Sequence, residues 1–134
     1  MYFSYILEYK KSHTLKETGR TFFSGGFKSK YIEISKTLQA YQVAVDQVAI
    51  VSVTDLAGKI IYVNKKFSEI SKYSPDELIG KTHSIINSGY HPDNFFKEMW
   101  QTISQGKAWR GEIKNKAKDG TYYWVDTAIT PVKD

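Results

Sequence analysis

The chain has 134 residues, 41% hydrophobic and 15% aromatic, which is the size of one domain with enough apolar side chains for a core. It contains no cysteine, so disulfides, thiolate metal sites, cysteine catalysis and cysteinyl adducts to a cofactor are excluded. The net charge of +5 is unevenly spread: residues 1–40 hold seven Lys or Arg against three Glu, and residues 41–134 hold twelve against eleven acids, so the basic excess marks a solvated N-terminal stretch and not a nucleic-acid surface. No apolar run is long enough for a transmembrane helix, and residues 1–7 lack the basic start and sustained apolar centre of a signal peptide. Cytoplasmic residence without membrane insertion is the expectation.

Residues 1–30 read as an extension or linker, with a polar middle at residues 10–20 and a flexible Ser24-Gly25-Gly26. Within it, residues 2–9 fit either a short strand or a helix. Over residues 31–47 the apolar positions Ile34, Leu38, Tyr41 and Val45 recur at helical spacing, predicting an amphipathic helix of roughly four turns. A hairpin follows: residues 48–54, a turn at Asp55-Leu56-Ala57-Gly58, and a return strand at residues 59–63. Asn64 is placed to cap a short helix over residues 65–71. Ser74 as N-cap, Pro75 at the first helical position and Asp76-Glu77 in the first turn start another. After an irregular stretch, Pro92 begins a longer helix whose apolar face is Phe95 or Phe96, Met99, Trp100 and Ile103, and Gly106 stops it.

The last quarter carries the strongest pattern. Trp109, Gly111, Ile113 and Asn115 alternate with Arg110, Glu112, Lys114 and Lys116, which is one face of a strand and its solvent side. Asp119-Gly120 predicts a tight turn with positive φ at both residues. A second strand, residues 121–132, is dense in Tyr, Trp, Val, Thr and Ile. An inward Trp with an Asn on the same face offers a stacking surface and an amide that both donates and accepts. The competing reading makes Trp109 core and Asn115 a satisfied buried polar group. The order of helices and strands is an α+β layout, an antiparallel sheet with helices gathered over one face.

Three runs carry a resemblance: Val63-Asn64-Lys65-Lys66-Phe67, Tyr73-Ser74-Pro75-Asp76-Glu77-Leu78-Ile79-Gly80-Lys81, and Lys118-Asp119-Gly120-Thr121-Tyr122-Tyr123-Trp124. In this order they resemble a PAS domain, or sensory box, over residues 48–134, with Thr130-Pro131-Val132 matching the end of its fourth strand. The resemblance implies a PAS fold with an antiparallel sheet of about five strands, short helices on one face and the N-terminal amphipathic helix in front. It also implies a signal-transduction module, including two-component systems, coupled to the output domain of a histidine kinase, diguanylate cyclase or chemoreceptor. A homodimer through the N-terminal helix is expected. The fifth PAS strand normally lies in the middle of the sheet and would follow Asp134. Its slot is filled by a longer natural protein, by a partner's strand, or by residues 2–9.

His91-Pro92-Asp93, Met99-Trp100, Trp109 with Gly111, and Asn115 before Asp119-Gly120 are similar to the FAD-binding redox PAS domains of aerotaxis transducers and nitrogen-fixation regulators. In that group the Trp matching Trp109 packs near the isoalloxazine and the Asn matching Asn115 bonds its edge. The resemblance therefore implies FAD and assigns its contacts to Trp109, Asn115, His91 and Asp93, with Asn64, His83, Asn87 and Tyr123 as further candidates. Redox state or oxygen would be the signal, passed from Asn115 through the sheet to the N-terminal helix. The alternative is a small metabolite or no ligand at all. The photoreactive Cys of light-sensing flavin relatives falls at His83, so adduct photochemistry is ruled out while flavin binding is not. For haem, the axial His of haem-binding PAS domains would sit on the long helix, which has none; His91 lies just before it. Three scattered His predict no metal site. Asp76 and Glu77 are adjacent and project to different sides of a helix, and no phosphate loop or nucleophile motif is present, so no catalytic residue is predicted.

Overall fold

A computed structural model describes residues 3–9 and 27–132, with side chains described from residue 29 onward. The polar stretch at residues 10–20 and Ser24-Gly25-Gly26 lie outside the described residues. The strands are β1 (Phe3–Tyr9), β2 (Ala49–Thr54), β3 (Ile60–Val63), β4 (Trp109–Lys116) and β5 (Tyr122–Val132). The helices are α1 (Phe27–Val48), α2 (Lys65–Ser71), α3 (Pro75–Leu78) and α4 (Asp93–Ser104), with a 3-10 turn at His83–Ile86. The strands form one antiparallel sheet in the order β3-β2-β1-β5-β4.

The centre of that sheet corrects the reading of residues 1–30 as an extension alone. β1 lies between β2 and β5, with Leu7 in register with both Val51 and Ala128. Of the three ways to fill the middle slot, the structure uses the chain's own N-terminal strand. A seven-residue segment rich in Phe, Tyr and Ile is ambiguous by pattern alone. Two ladder edges in want of a partner decide it, because unpaired backbone groups in the middle of a sheet are costly.

The inner face of the sheet follows the alternation read from the sequence. Trp109, Ile113 and Asn115 on β4 are buried, as are Val125, Thr127 and Ile129 on β5, while Arg110, Glu112 and Lys116 are exposed. Phe67, Leu78, Ile86 and Met99 from the helical side close the core against them. The β4–β5 connection differs from the expected two-residue turn. Gly120 has φ +86° and Asp119 does not share its positive φ. Ala117 bonds Thr121 and Gly120 bonds Ala117 through the backbone, enclosing a three-residue loop that ends in a left-handed Gly. Asp119 instead uses its carboxylate, which accepts the Thr121 N–H at 3.0 Å.

The short helices begin where their capping residues stand. Asn64 accepts the Phe67 N–H, and Ser74 with Glu77 makes a reciprocal capping box behind Pro75. Helix α1 is longer than its pattern, 22 residues, and most of its described apolar positions are not covered. Tyr31, Ile34, Leu38 and Tyr41 are all more than half exposed, and only its last turns approach the sheet, through partly buried Val45, Asp46 and Val48.

Candidate functional site

Between the inner face of the sheet and the helical side lies a cavity of about 390 Å³. Its floor is Ile113, Asn115, Thr127 and Ile129 of β4 and β5, and its far wall is Ile86, Phe96, Met99 and Ile103. The mouth is bounded by Ala57, Thr82, Ser84, Asn87 and Trp100, all exposed. The lining is therefore apolar with a few polar groups at defined points, the usual build of a small-molecule site.

Two of those polar groups stand out. Asn115 is 4% exposed and Thr127 1% exposed. Asn115 Nδ2 and Thr127 Oγ1 are buried and have no hydrogen-bond partner among the described residues. Folded proteins satisfy nearly all buried polar atoms, and one left bare costs about 1–3 kcal/mol. Both residues sit on the cavity floor, one strand apart, because β4 pairs with β5 so that Asn115 faces Tyr123 and Gly111 faces Thr127. They are a donor and a hydroxyl whose hydrogen-bonding capacity is unused among the described residues.

The structure brings three of the eight candidate residues to the cavity: Asn115, His83 and Asn87. His83 Nε2 is 3.0 Å from Ser52 Oγ, and its ring meets Phe67 edge to face at 6.0 Å. Burial pushes its pKa from 6.5 down to about 4, so the ring is neutral at physiological pH. Asn87 spends its Oδ1 on the Gly89 N–H and pairs through its backbone with Asn115.

The other five lie off the lining. Trp109 is buried on the same face as Asn115, but its indole folds over Gly111 and meets Phe95 edge to face at 5.5 Å. Gly111 is the residue that allows this, since a Cβ there would lie 2.5 Å from the indole Cη2. Tyr123 stands opposite Asn115 and packs against the core. His91 stacks on Phe95 at 4.1 Å, and its Nε2 accepts the Lys114 N–H at 2.9 Å. Ser88 Oγ donates to the Lys114 carbonyl. Residues 87–91 thus cover the outer edge of β4, an edge strand whose backbone groups at Lys114 would otherwise be open. Asp93 is exposed at the start of α4, where a carboxylate suits the helix dipole. Asn64 is committed to structure. Its Oδ1 accepts from Val51 and Phe67, and its Nδ2 donates to the Ala49 carbonyl and Asp46.

Thr127 and Trp100 are lining residues that the sequence reading did not assign to the site. Thr127 was one of many β-formers on its strand, and nothing local marks a Thr that faces inward without a partner among the described residues. Trp100 was assigned to the packed face of α4. It is 50% exposed at the mouth, with its ring edge against Gly58. Among the described residues no cluster of His, Asp or Glu is arranged to hold a metal. No described helix is long and apolar enough to cross a membrane.

The PAS fold family model matches residues 60–134. The chain is 39% identical over 82 residues to the nitrogen fixation regulatory protein of Klebsiella pneumoniae, covering 61% of this chain and 17% of that one. It is 34% identical over 87 residues to the aerotaxis receptor of Escherichia coli (strain K12), covering 65% and 17%. The crystal structure of the PAS domain of a protein from Colwellia psychrerythraea superposes with a TM-score of 0.57 at 25% identity, over 73% of this chain and 97% of that one. The chain spans under a fifth of the length of these curated relatives, a regulatory protein and a receptor. The sheet, the capped short helices and the roofed cavity agree with these matches: the chain belongs to the PAS fold family.

Proposed function

We propose that this PAS domain binds a flavin, FAD, in the cavity over β4 and β5 and serves as the redox-sensing module of a cytoplasmic signal-transduction protein. The observation that carries this is the pair of buried atoms without a partner among the described residues, Asn115 Nδ2 and Thr127 Oγ1, on an otherwise apolar floor. A flavin ring system is flat and largely apolar, and its polar edge both donates and accepts. When bound, a flavin supplies reversible two-electron redox chemistry, with protonation changes at its ring nitrogens. Asn115 holds the edge from β4, Thr127 supports it from β5, and Ile86, Met99 and Ile103 exclude water. Trp109 packs beside the floor, over Gly111 on the same strand face. The resemblance to FAD-binding redox PAS domains supports flavin over other flat ligands. Haem is less well supported, because His91 turns its Nε2 to the β4 backbone and lies off the cavity.

A ligand signals only through a difference in affinity between two states of the protein. Asn115 sits on β4, which is paired through β5 and β1 to β2, and β2 meets the end of α1. A change of hydrogen bonding at Asn115 therefore has a continuous route to the helix.

Titration of the purified chain with FAD, read by quenching of flavin fluorescence, tests this. The wild-type chain binds, and Asn115→Ala weakens binding about ten-fold or more with an unchanged far-UV spectrum. Equal affinity in the two proteins would remove Asn115 from the site.

A second reading rests on α1. Tyr31, Ile34, Leu38, Tyr41 and Val45 follow a three-four spacing along one helix, and the first four are exposed. That is the seam of a two-stranded coiled coil, and it suits a homodimer that presents an output domain. Sedimentation equilibrium of wild type against Leu38→Lys tests it: the wild type is a dimer and the variant a monomer.

A further inference from the structure

Residues 87–91 wrap the edge of β4 and join the cavity to the outer face of the sheet. Asn87 lines the cavity mouth and bridges through its backbone to Asn115. Tyr90 reaches the outer face, where its ring meets Trp124 edge to face at 5.1 Å and lies 5.1 Å from the Lys114 ammonium. The segment is bonded within itself. Asn87 Oδ1 accepts the Gly89 N–H at 2.8 Å, and Ser88 Oγ accepts the Tyr90 N–H at 3.2 Å. Such internal bonding favours movement as one piece.

Two side chains hold this piece to the strand, both at Lys114. Ser88 Oγ donates to its carbonyl, and His91 Nε2 accepts its N–H at 2.9 Å. Only the imidazole titrates near neutral pH. Its nitrogen accepts only while it carries no proton. Once protonated, Nε2 would point an N–H at the Lys114 N–H, and an attraction would become a repulsion. Tilting the ring away would give up its stack on Phe95 at 4.1 Å. It would also disturb the edge-to-face contacts with Tyr90, Phe96 and Trp124 at 5.1, 5.8 and 5.9 Å.

The charged and titratable side chains on the elements packed against His91 are Asp93, Lys97 and Glu98 of α4, Arg110, Glu112, Lys114 and Lys116 of β4, and Tyr122, Tyr123 and Asp126 of β5, with Tyr90 beside it in the chain. Among the described residues none of these is ion-paired to it. The Lys114 ammonium is turned to the outer face, over Tyr90 and Tyr122. Burial among the rings lowers the pKa of His91 from its ordinary 6.5. A lowered imidazole pKa means that the contact is complete above pH 6.5 and weakens as the pH falls below it.

We propose that residues 87–91 are a proton-released latch: protonation of His91 detaches them from Lys114, uncovers the edge of β4 and loosens the cavity mouth at Asn87. The hold of Ser88 on the Lys114 carbonyl does not titrate, so the segment loosens without leaving the strand. The latch goes beyond the flavin reading and is independent of what the cavity holds.

The experiment is an NMR titration of the full unliganded chain between about pH 7.5 and 5, on wild type, His91→Gln and His83→Gln. A Gln amide oxygen can accept the Lys114 N–H and does not titrate. His83, whose pKa is about 4, stays mostly neutral over this range, and its variant removes it altogether. In wild type the His91 ring and the Lys114 and Asn87 amides should shift with one midpoint below 6.5. The Lys114 amide should exchange about ten-fold faster at the acid end, after correction for intrinsic exchange. His91→Gln should abolish the pH dependence, and His83→Gln should leave it intact. Lys114 protection that holds steady while His91 titrates would overturn the latch. So would a His91 ring that stays neutral throughout, or the same pH dependence in His91→Gln. The wild-type titration decides by itself should His91→Gln not fold.

Discussion

The indole of Trp109 lies on Gly111, two residues along the same strand face, so closely that the glycine's missing side chain is part of the packing. A Cβ at position 111 would stand 2.5 and 2.6 Å from two ring carbons that are themselves buried against Phe95. The ring cannot move aside without giving up its edge-to-face contact with Phe95. Gly111→Ala should therefore destabilise the domain by about 1–3 kcal/mol, the usual cost of overpacking a filled core. Thermal unfolding and the near-UV circular dichroism of the indole check it. An unchanged melting temperature would mean that Trp109 swings away freely.

Asn115 and Thr127 make a sharper case, because affinity and stability should move in opposite directions. Thr127→Val keeps the shape and removes a hydroxyl that lacks a partner among the described residues. The unliganded protein should gain stability, by about 1 kcal/mol, since a bare buried polar group is a cost that the valine does not carry. Flavin affinity should fall about ten-fold for the same substitution. Denaturant titrations with and without FAD measure both. A loss of stability without ligand would assign Thr127 to the fold and not to the site.

Asn64 behaves in the contrary way. All four of its side-chain hydrogen bonds are spent within the protein, on Val51, Phe67, Ala49 and Asp46. Asn64→Ala removes the cap of α2 and strips partners from buried groups of β2, at a combined cost of about 2–4 kcal/mol. Its denaturation midpoint should fall steeply, while FAD affinity of the folded fraction stays near wild type. A specific loss of affinity with normal stability would return Asn64 to the cofactor site.

His83 predicts a pH dependence. Its ring titrates near 6.5 in the unfolded chain and at about 4 when buried beside Ser52 and Phe67. Between those values the unfolded chain takes up a proton that the folded chain refuses. Stability is full above about pH 6.5 and declines as the pH falls toward 4, by roughly 3 kcal/mol from this group. His91, also lowered by burial, adds in the same direction. His83→Gln keeps a partner for Ser52 and does not titrate, so its stability should fall less over this window. Parallel curves for the two proteins would show that His83 is not the linked group.

What the sequence made legible was local. Asn64, Ser74 and Pro75 announced their helices because capping needs those residue types at those positions. The strict alternation from Trp109 to Lys116 announced a half-buried strand, and burial follows it residue by residue. The candidate site was legible at Asn115, which lines the cavity and is a polar residue in an apolar row. Long-range relationships were not. Nothing in residues 3–9 says that they fill the centre of a sheet whose neighbours stand forty or more positions away. His91 and Asp93 drew notice by motif, yet their geometry is explained by the β4 edge and the helix start. Trp100 looked like core because helical periodicity places it beside Met99 and Ile103. Periodicity gives a direction around the helix but not where the roof ends and the mouth begins.

The most direct measurement is the absorption spectrum of the purified full chain, before and after incubation with excess FAD and gel filtration, followed by addition of dithionite. The account predicts that flavin bands co-elute with the protein, show the sharpened structure of a ring held in an apolar site, and bleach on reduction. They should be absent or much weaker for Asn115→Ala. A wild-type chain that leaves the column colourless after incubation with FAD would contradict the central claim and leave the exposed seam of α1 as the better guide to what the domain does.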